Sequence, residues 1–103
     1  MPKAYWIARV DVADLDGYKP YVETAAPAFK RFGAKFLARG GKTDAVEGAG
    51  RARNVIIEFK DYDTALACYN SPEYTAAKAY RQAASMGEIV IVEAYEGPQP
   101  NDV

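Results

Sequence analysis

Apolar and polar positions along the chain fall into two rhythms. Residues 4–11 (AYWIARVD), 34–39 (AKFLAR), 53–60 (RNVIIEFK) and 88–95 (EIVIVEAY) are short and rich in aromatic and β-branched side chains, and they predict four strands. After the first of them, Tyr18, Val22, Ala25, Phe29 and Phe32 recur at spacings of four, three, four and three, and so share one face of a helix. Asp14 or Asp16 is placed to cap that helix and Gly33 to end it. Pro20 is tolerable near its start, whereas Pro27 removes a mid-helix hydrogen bond and is expected to kink or split it. Asp61 caps a second, shorter helix through Tyr69. Asn70-Ser71-Pro72 breaks and restarts it, with Ser71 as N-cap and Pro72 at the first helical position, where its missing N–H costs nothing. The restarted helix is expected to run to about Ser85 and to stop at Gly87. Residues 40–52 form a glycine-rich loop with one brief edge pairing at Val46. Residues 97–103 are a polar, flexible C-terminal tail beyond a single domain of residues 1–96.

The predicted order, β-α-β-β-α-β with the second helix broken, is that of an α+β ferredoxin-like domain. Such a domain has a four-stranded antiparallel sheet in the order 4-1-3-2 with its helices on one face. Splitting each strand by parity gives two sets. Trp6, Ala8, Val10, Phe36, Ala38, Val55, Ile57, Phe59, Val90, Val92 and Ala94 carry no charge and are assigned to the face under the helices. Tyr5, Ile7, Arg9, Lys35, Leu37, Arg39, Asn54, Ile56, Glu58, Ile89, Ile91, Glu93 and Tyr95 form the other face. That face mixes large aliphatics with ionisable groups. An antiparallel sheet facing water would not carry so many aliphatics, and the chain has no further element to cover them. A second copy of the same sheet is the simplest cover. The expected partner is therefore the protein itself, in a homodimer through the face carrying Ile7, Leu37, Ile56 and Ile91.

Composition narrows the chemistry. Thirteen Lys and Arg against fourteen Asp and Glu leave no basic surplus for phosphates, so nucleic acid is not an expected partner. There is no His, which removes the commonest general base, the commonest transition-metal ligand, a Ser-His-Asp triad and a His-ligated haem. The single cysteine, Cys68, cannot form an internal disulfide or a cysteine zinc site, and reads as a small buried residue on a helix. Neither a metal nor a cofactor is expected. No window is apolar enough to span a membrane and the N-terminus lacks a signal-peptide pattern, so the expected location is cytoplasmic.

Several segments together carry a family resemblance. These are Arg39-Gly40-Gly41, Val55-Ile56-Ile57-Glu58-Phe59, Tyr69-Asn70-Ser71-Pro72-Glu73-Tyr74, Arg81-Gln82-Ala83 and Val90-Ile91-Val92-Glu93. From about Ala4 to Glu96 the chain resembles the DUF1330 family, small bacterial proteins within the dimeric α/β-barrel superfamily. The resemblance implies a ferredoxin-like subunit with sheets packed back to back. It implies no activity, since relatives in the superfamily range over cofactor-free monooxygenases, lactone isomerases and haem enzymes.

The residues themselves leave three classes open: a binder of a small anionic or aromatic molecule, a cofactor-free enzyme acting on a small organic substrate, and a structural or interaction dimer. Glu58 and Glu93 are the candidate catalytic groups, since a partly buried carboxylate near an arginine can act as a base. Arg9, Arg39, Asn54 and Tyr74 are the candidate ligand-binding groups, Tyr74 lying at a helix start. The alternative for Arg9, Glu58 and Glu93 is a structural ion-pair network. Should neither reading hold for those three residues, the site would have to be sought under the helices, near Trp6, Tyr18 and Tyr74.

Overall fold

A computed structural model describes residues 2–102 of the chain. Met1, the first residue of the expected domain, and Val103, the last of the expected tail, lie outside the described residues. The elements run β1 (Ala4–Val12), α1 (Leu15–Arg31), β2 (Lys35–Arg39), β3 (Arg53–Phe59), α2 (Tyr62–Tyr69), α3 (Pro72–Ala84) and β4 (Ser85–Glu93). They build one antiparallel sheet in the order β2-β3-β1-β4, the expected ferredoxin-like arrangement. The final residues hold a single 3-10 turn, Pro100–Asp102.

Local chemistry explains the helix ends. The Asp14 carboxylate accepts the Gly17 N–H at 3.1 Å and Asp61 accepts that of Thr64 at 2.8 Å. Ser71 accepts from the Tyr74 N–H at 3.2 Å and donates its own proton to the Cys68 carbonyl at 2.7 Å, which ties the end of α2 to the start of α3. Pro72 opens α3 as expected. Pro27 does not split α1, which is one continuous helix. Pro27 is exposed, and so is Glu23, whose carbonyl loses its helical donor, so water can take that donor's place.

Gly87 has a different role from the one expected. It does not end α3 but lies inside β4, opposite Val10 of β1. A side chain there would run into the Arg9 carbonyl and the Val10 backbone, so glycine allows β4 to lie close against β1. No strand forms around Val46, which is exposed in the loop between β2 and β3.

One face of the sheet is covered by α1, α2 and α3. Trp6, at 1 % exposure, is the centre of the core. Its ring lies 4.9 Å from that of Tyr74 and 5.4 Å from those of Phe29 and Phe59, and its Nε1 donates to the Ala65 carbonyl at 2.9 Å. The indole thus joins β1 to all three helices and its one polar atom is satisfied, as a buried Trp requires.

The register corrects the parity of two strands. In β4, Ile89 pairs with Ala8 and Ile91 with Trp6, and both isoleucines pack on the core under the helices. Val90 and Val92 are therefore the residues on the open face, and Ile91 is not. The run Ile89-Val90-Ile91-Val92 is apolar on both sides of the strand, so its composition carries no mark of phase. In β2, Phe36 pairs with Ile57 but Ala38 pairs with Ile56, so Leu37 is the extra residue of a β-bulge. The bulge turns Ala38 to the open face and places Arg39 opposite Val55, on the covered side.

Candidate functional site

Under the helices the core is not completely filled. A narrow cavity lies between the sheet and α1, walled by Trp6, Phe29, Phe36, Val55 and Ile57. Its space between atoms, mouth included, is about 440 Å³, yet the centres of water molecules have only about 30 Å³ to occupy. As the side chains stand, that is room for about one or two water molecules. Three arginines reach it from three elements: Arg39 from β2, Arg53 from β3 and Arg81 from α3. Arg39 is exposed and stacks 4.1 Å from the centre of the Phe36 ring, Arg53 lies over Tyr18, and Arg81 is buried. The Nε atoms of Arg53 and Arg81 are buried and have no hydrogen-bond partner. A buried donor without an acceptor is costly and rare.

The room for Arg53 comes from Gly40. That residue has a φ of 65°, and a Cβ on it would lie 2.6 Å from Arg53 Nη1. Tyr21 also lines the cavity and shares a 2.9 Å hydrogen bond between hydroxyls with Tyr74. Burial pushes both phenols above their ordinary range, so both are neutral at physiological pH. Cys68 is fully buried, and desolvation pushes its thiol up to about 12, which makes it a packing residue and not a nucleophile.

The open face has its own polar groups, and they are arranged differently. Across the sheet, Val90, Ile7, Ile56 and Ala38 pair in one apolar row. The row on one side of it holds Glu88, Arg9 and Asn54, and the row on the other holds Val92, Tyr5, Glu58 and Lys35. At the first margin Arg51, from the loop, grips Glu88 at 2.6 and 3.1 Å and Asp11 at 2.8 Å. Asp11 also accepts the Ala52 N–H at 2.9 Å, and Asn54 donates to Thr43 and to the Arg51 carbonyl. These bonds pin the long loop to the sheet. At the other margin Glu58 accepts from Lys3 at 3.4 Å.

The structure separates the residues singled out in the sequence. Arg9 and Asn54 are partners on the open face, beside the loop that Arg51 holds. Glu58 lies on that face at the opposite margin. Glu93 pairs with Ala4 and so has the other parity, and the two acids form no site together. Arg39, expected on the same face as Arg9, is on the covered side at the cavity, and Tyr74 reaches the cavity through Tyr21. Arg81 is not among the residues the sequence marks as candidates. Arg81-Gln82-Ala83 was noted only as a family segment, and its apolar neighbours at helical spacing, Ala77 and Ala84, were the sign that Arg81 points into the core.

Comparison with known proteins agrees with this architecture. The family model of the domain of unknown function DUF1330 matches residues 3–95. The chain belongs to the DUF1330 family. No curated protein is significantly similar to it in sequence. This DUF1330 chain is similar in fold to a protein of unknown function from Rhodopseudomonas palustris, with a TM-score of 0.76, 17% identity, and coverage of 93% of this chain and 85% of that one. It is also similar to SnoaB, a cofactor-independent oxygenase from Streptomyces nogalater, with a TM-score of 0.63, 15% identity, and coverage of 94% and 97%. A third neighbour is a dimeric protein of unknown function with a ferredoxin-like fold from Bacteroides fragilis, with a TM-score of 0.53, 14% identity, and coverage of 89% and 96%. At these identities the likeness concerns the fold. Among the described residues no helix is long and apolar enough to cross a membrane.

Proposed function

We propose that this DUF1330 protein is a cytoplasmic homodimer that binds a small organic molecule in the cavity between its sheet and helix α1. The observation that carries the reading is the pair of buried guanidinium Nε atoms without a partner, Arg53 and Arg81, at a gap in an otherwise aromatic and aliphatic core. Small-molecule sites have this composition: mostly apolar walls with a few convergent polar groups. The dimer accounts for the open face, where Ile7 is 38%, Ile56 36%, Leu37 50% and Val90 56% exposed. A second copy laid on the Val90-Ile7-Ile56-Ala38 row covers it, and the polar rows on either side fall at the rim. The dimeric ferredoxin-like neighbour supports that assembly.

The SnoaB likeness favours a second reading, cofactor-independent oxidation in the same cavity. No carboxylate or imidazole lines the cavity, so no side chain there is a general base of ordinary strength. Binding is therefore the primary reading. A thermal-shift screen of the full chain with small aromatic acids, lactones and phenols tests it. Ligands of the cavity raise the melting temperature, and Val22→Trp, placed at the cavity wall, removes that rise. Shifts unchanged in Val22→Trp would move the site elsewhere. Oxygen uptake in the presence of a stabilising ligand separates the second reading from the first.

A further inference from the structure

The polar groups of the cavity are of one kind. Three guanidinium groups reach it and no carboxylate lines it. None of the ion pairs among the described residues includes Arg39, Arg53 or Arg81, whereas Arg31 and Arg51 each hold a carboxylate at 2.8 Å or less. Arg81 is the sharpest case, 8% exposed with its Nε unmatched. A cation kept out of water without a counter-charge calls for an anion from outside the chain. Tyr21 and Tyr74 add to the demand. Two neutral hydroxyls that share one hydrogen bond have a second proton to donate.

Shape selects among anions. Flat rings form much of the cavity wall. A planar carboxylate on a planar ring stacks against such walls once their side chains part to admit it, and it matches the fork of a guanidinium, which binds carboxylates through two parallel N–H bonds. A tetrahedral phosphate offers those rings no flat face. We propose that the cavity takes a flat aromatic or unsaturated carboxylate as its anion, with the carboxylate on Arg53 and Arg81 and the ring against Trp6 and Phe29. Arg39, exposed and stacked on Phe36, is the third cation and stands at the mouth. This rests on the reading that the cavity binds a small organic molecule.

Calorimetric titration of the full chain with benzoate, benzamide and inorganic phosphate tests the ligand class. Benzoate and benzamide are nearly equal in size and flatness and differ in charge. Benzoate is expected to bind at least about tenfold more tightly than benzamide, and phosphate not at all. Arg81→Met and, independently, Arg53→Met are expected to lower benzoate affinity by about tenfold or more and benzamide affinity by less, so that the preference for acid over amide shrinks. Equal affinity for acid and amide would overturn the carboxylate and leave the cavity reading standing. Phosphate in preference to benzoate would overturn the planar ligand. If all three fail to bind, the cavity reading itself fails and the carboxylate with it.

Discussion

The two faces of the sheet are built from the same strands, often from adjacent residues, but they treat charge in opposite ways. On the open face acids and bases meet. Arg51 joins Asp11 to Glu88, and Lys3 approaches Glu58, each at the margin of an apolar row. At the cavity under the helices the charged groups among the described residues are all cations. Arg81 is buried and Arg53 half-buried, and neither takes part in an ion pair among the described residues. Matched charges at a margin hold a loop and frame an interface, and water reaches them. The cavity arginines meet rings and hydroxyls instead, Arg53 over Tyr18 and Arg81 against Tyr74, and no acid. A ligand is to be sought not where charges are most numerous but where they have no counter-charge.

The largest expected effect comes from Trp6 and its neighbour Ile7, which point to opposite faces. Trp6→Ala should cost about 3–5 kcal/mol, the range for emptying a large aromatic site, and urea titration should show most of the chain's stability gone. Ile7→Lys should leave the subunit folded by circular dichroism and reduce the particle in light scattering from twice the 11.3 kDa subunit mass to a single one. If Ile7→Lys melts the subunit as Trp6→Ala does, the open face is part of the core and the comparison fails.

A smaller effect is expected from acid. The Ala52 N–H and then Arg51 hold the Asp11 carboxyl below its usual range, and the Arg51 hydrogen bonds do the same for Glu88. A carboxyl that titrates lower in the folded protein stabilises it above the ordinary carboxylate range. That contribution is lost as pH falls through the lowered value. The melting temperature should therefore drop as pH falls below about 4.5, and Arg51→Met should flatten that drop. The smallest effect belongs to the cavity. Tyr21 and Tyr74 are held above the ordinary phenol range and the cavity has no acid, so benzoate affinity should be level between about pH 6 and pH 9.

Much of the fold was legible because local chemistry marks it. Asp14, Asp61, Ser71 and Pro72 announce helix starts, and the β1 and β3 alternations announce their buried sides. Phase was legible only where a strand carries both polar and apolar positions. β4 has four β-branched residues in a row, and only its pairing with β1 decides that Ile91 faces the core and Val90 does not. In β2 a single bulged residue moves Arg39 to the other side of the sheet, and no local composition signals that shift. The bulge puts Arg39 at the cavity, and the cavity's arginines come from β2, β3 and α3 and meet only in three dimensions. Tyr74 and Trp6 could be placed near it from sequence, since aromatic residues at helical and strand spacing point to the core.

The central claim is that the charges of the open face serve the structure and those under the helices await a ligand. Thermal melting of Arg51→Met and Arg81→Met, without any ligand and at neutral pH, tests it most directly. Methionine keeps much of the arginine stem's bulk, so the comparison reads the charge. The account predicts that Arg51→Met melts several degrees below the parent, since two carboxylates lose their partner, while Arg81→Met melts at or above it, since an unmatched buried cation is gone. If Arg81→Met falls as far as Arg51→Met, the buried arginine holds the fold together and the account is contradicted.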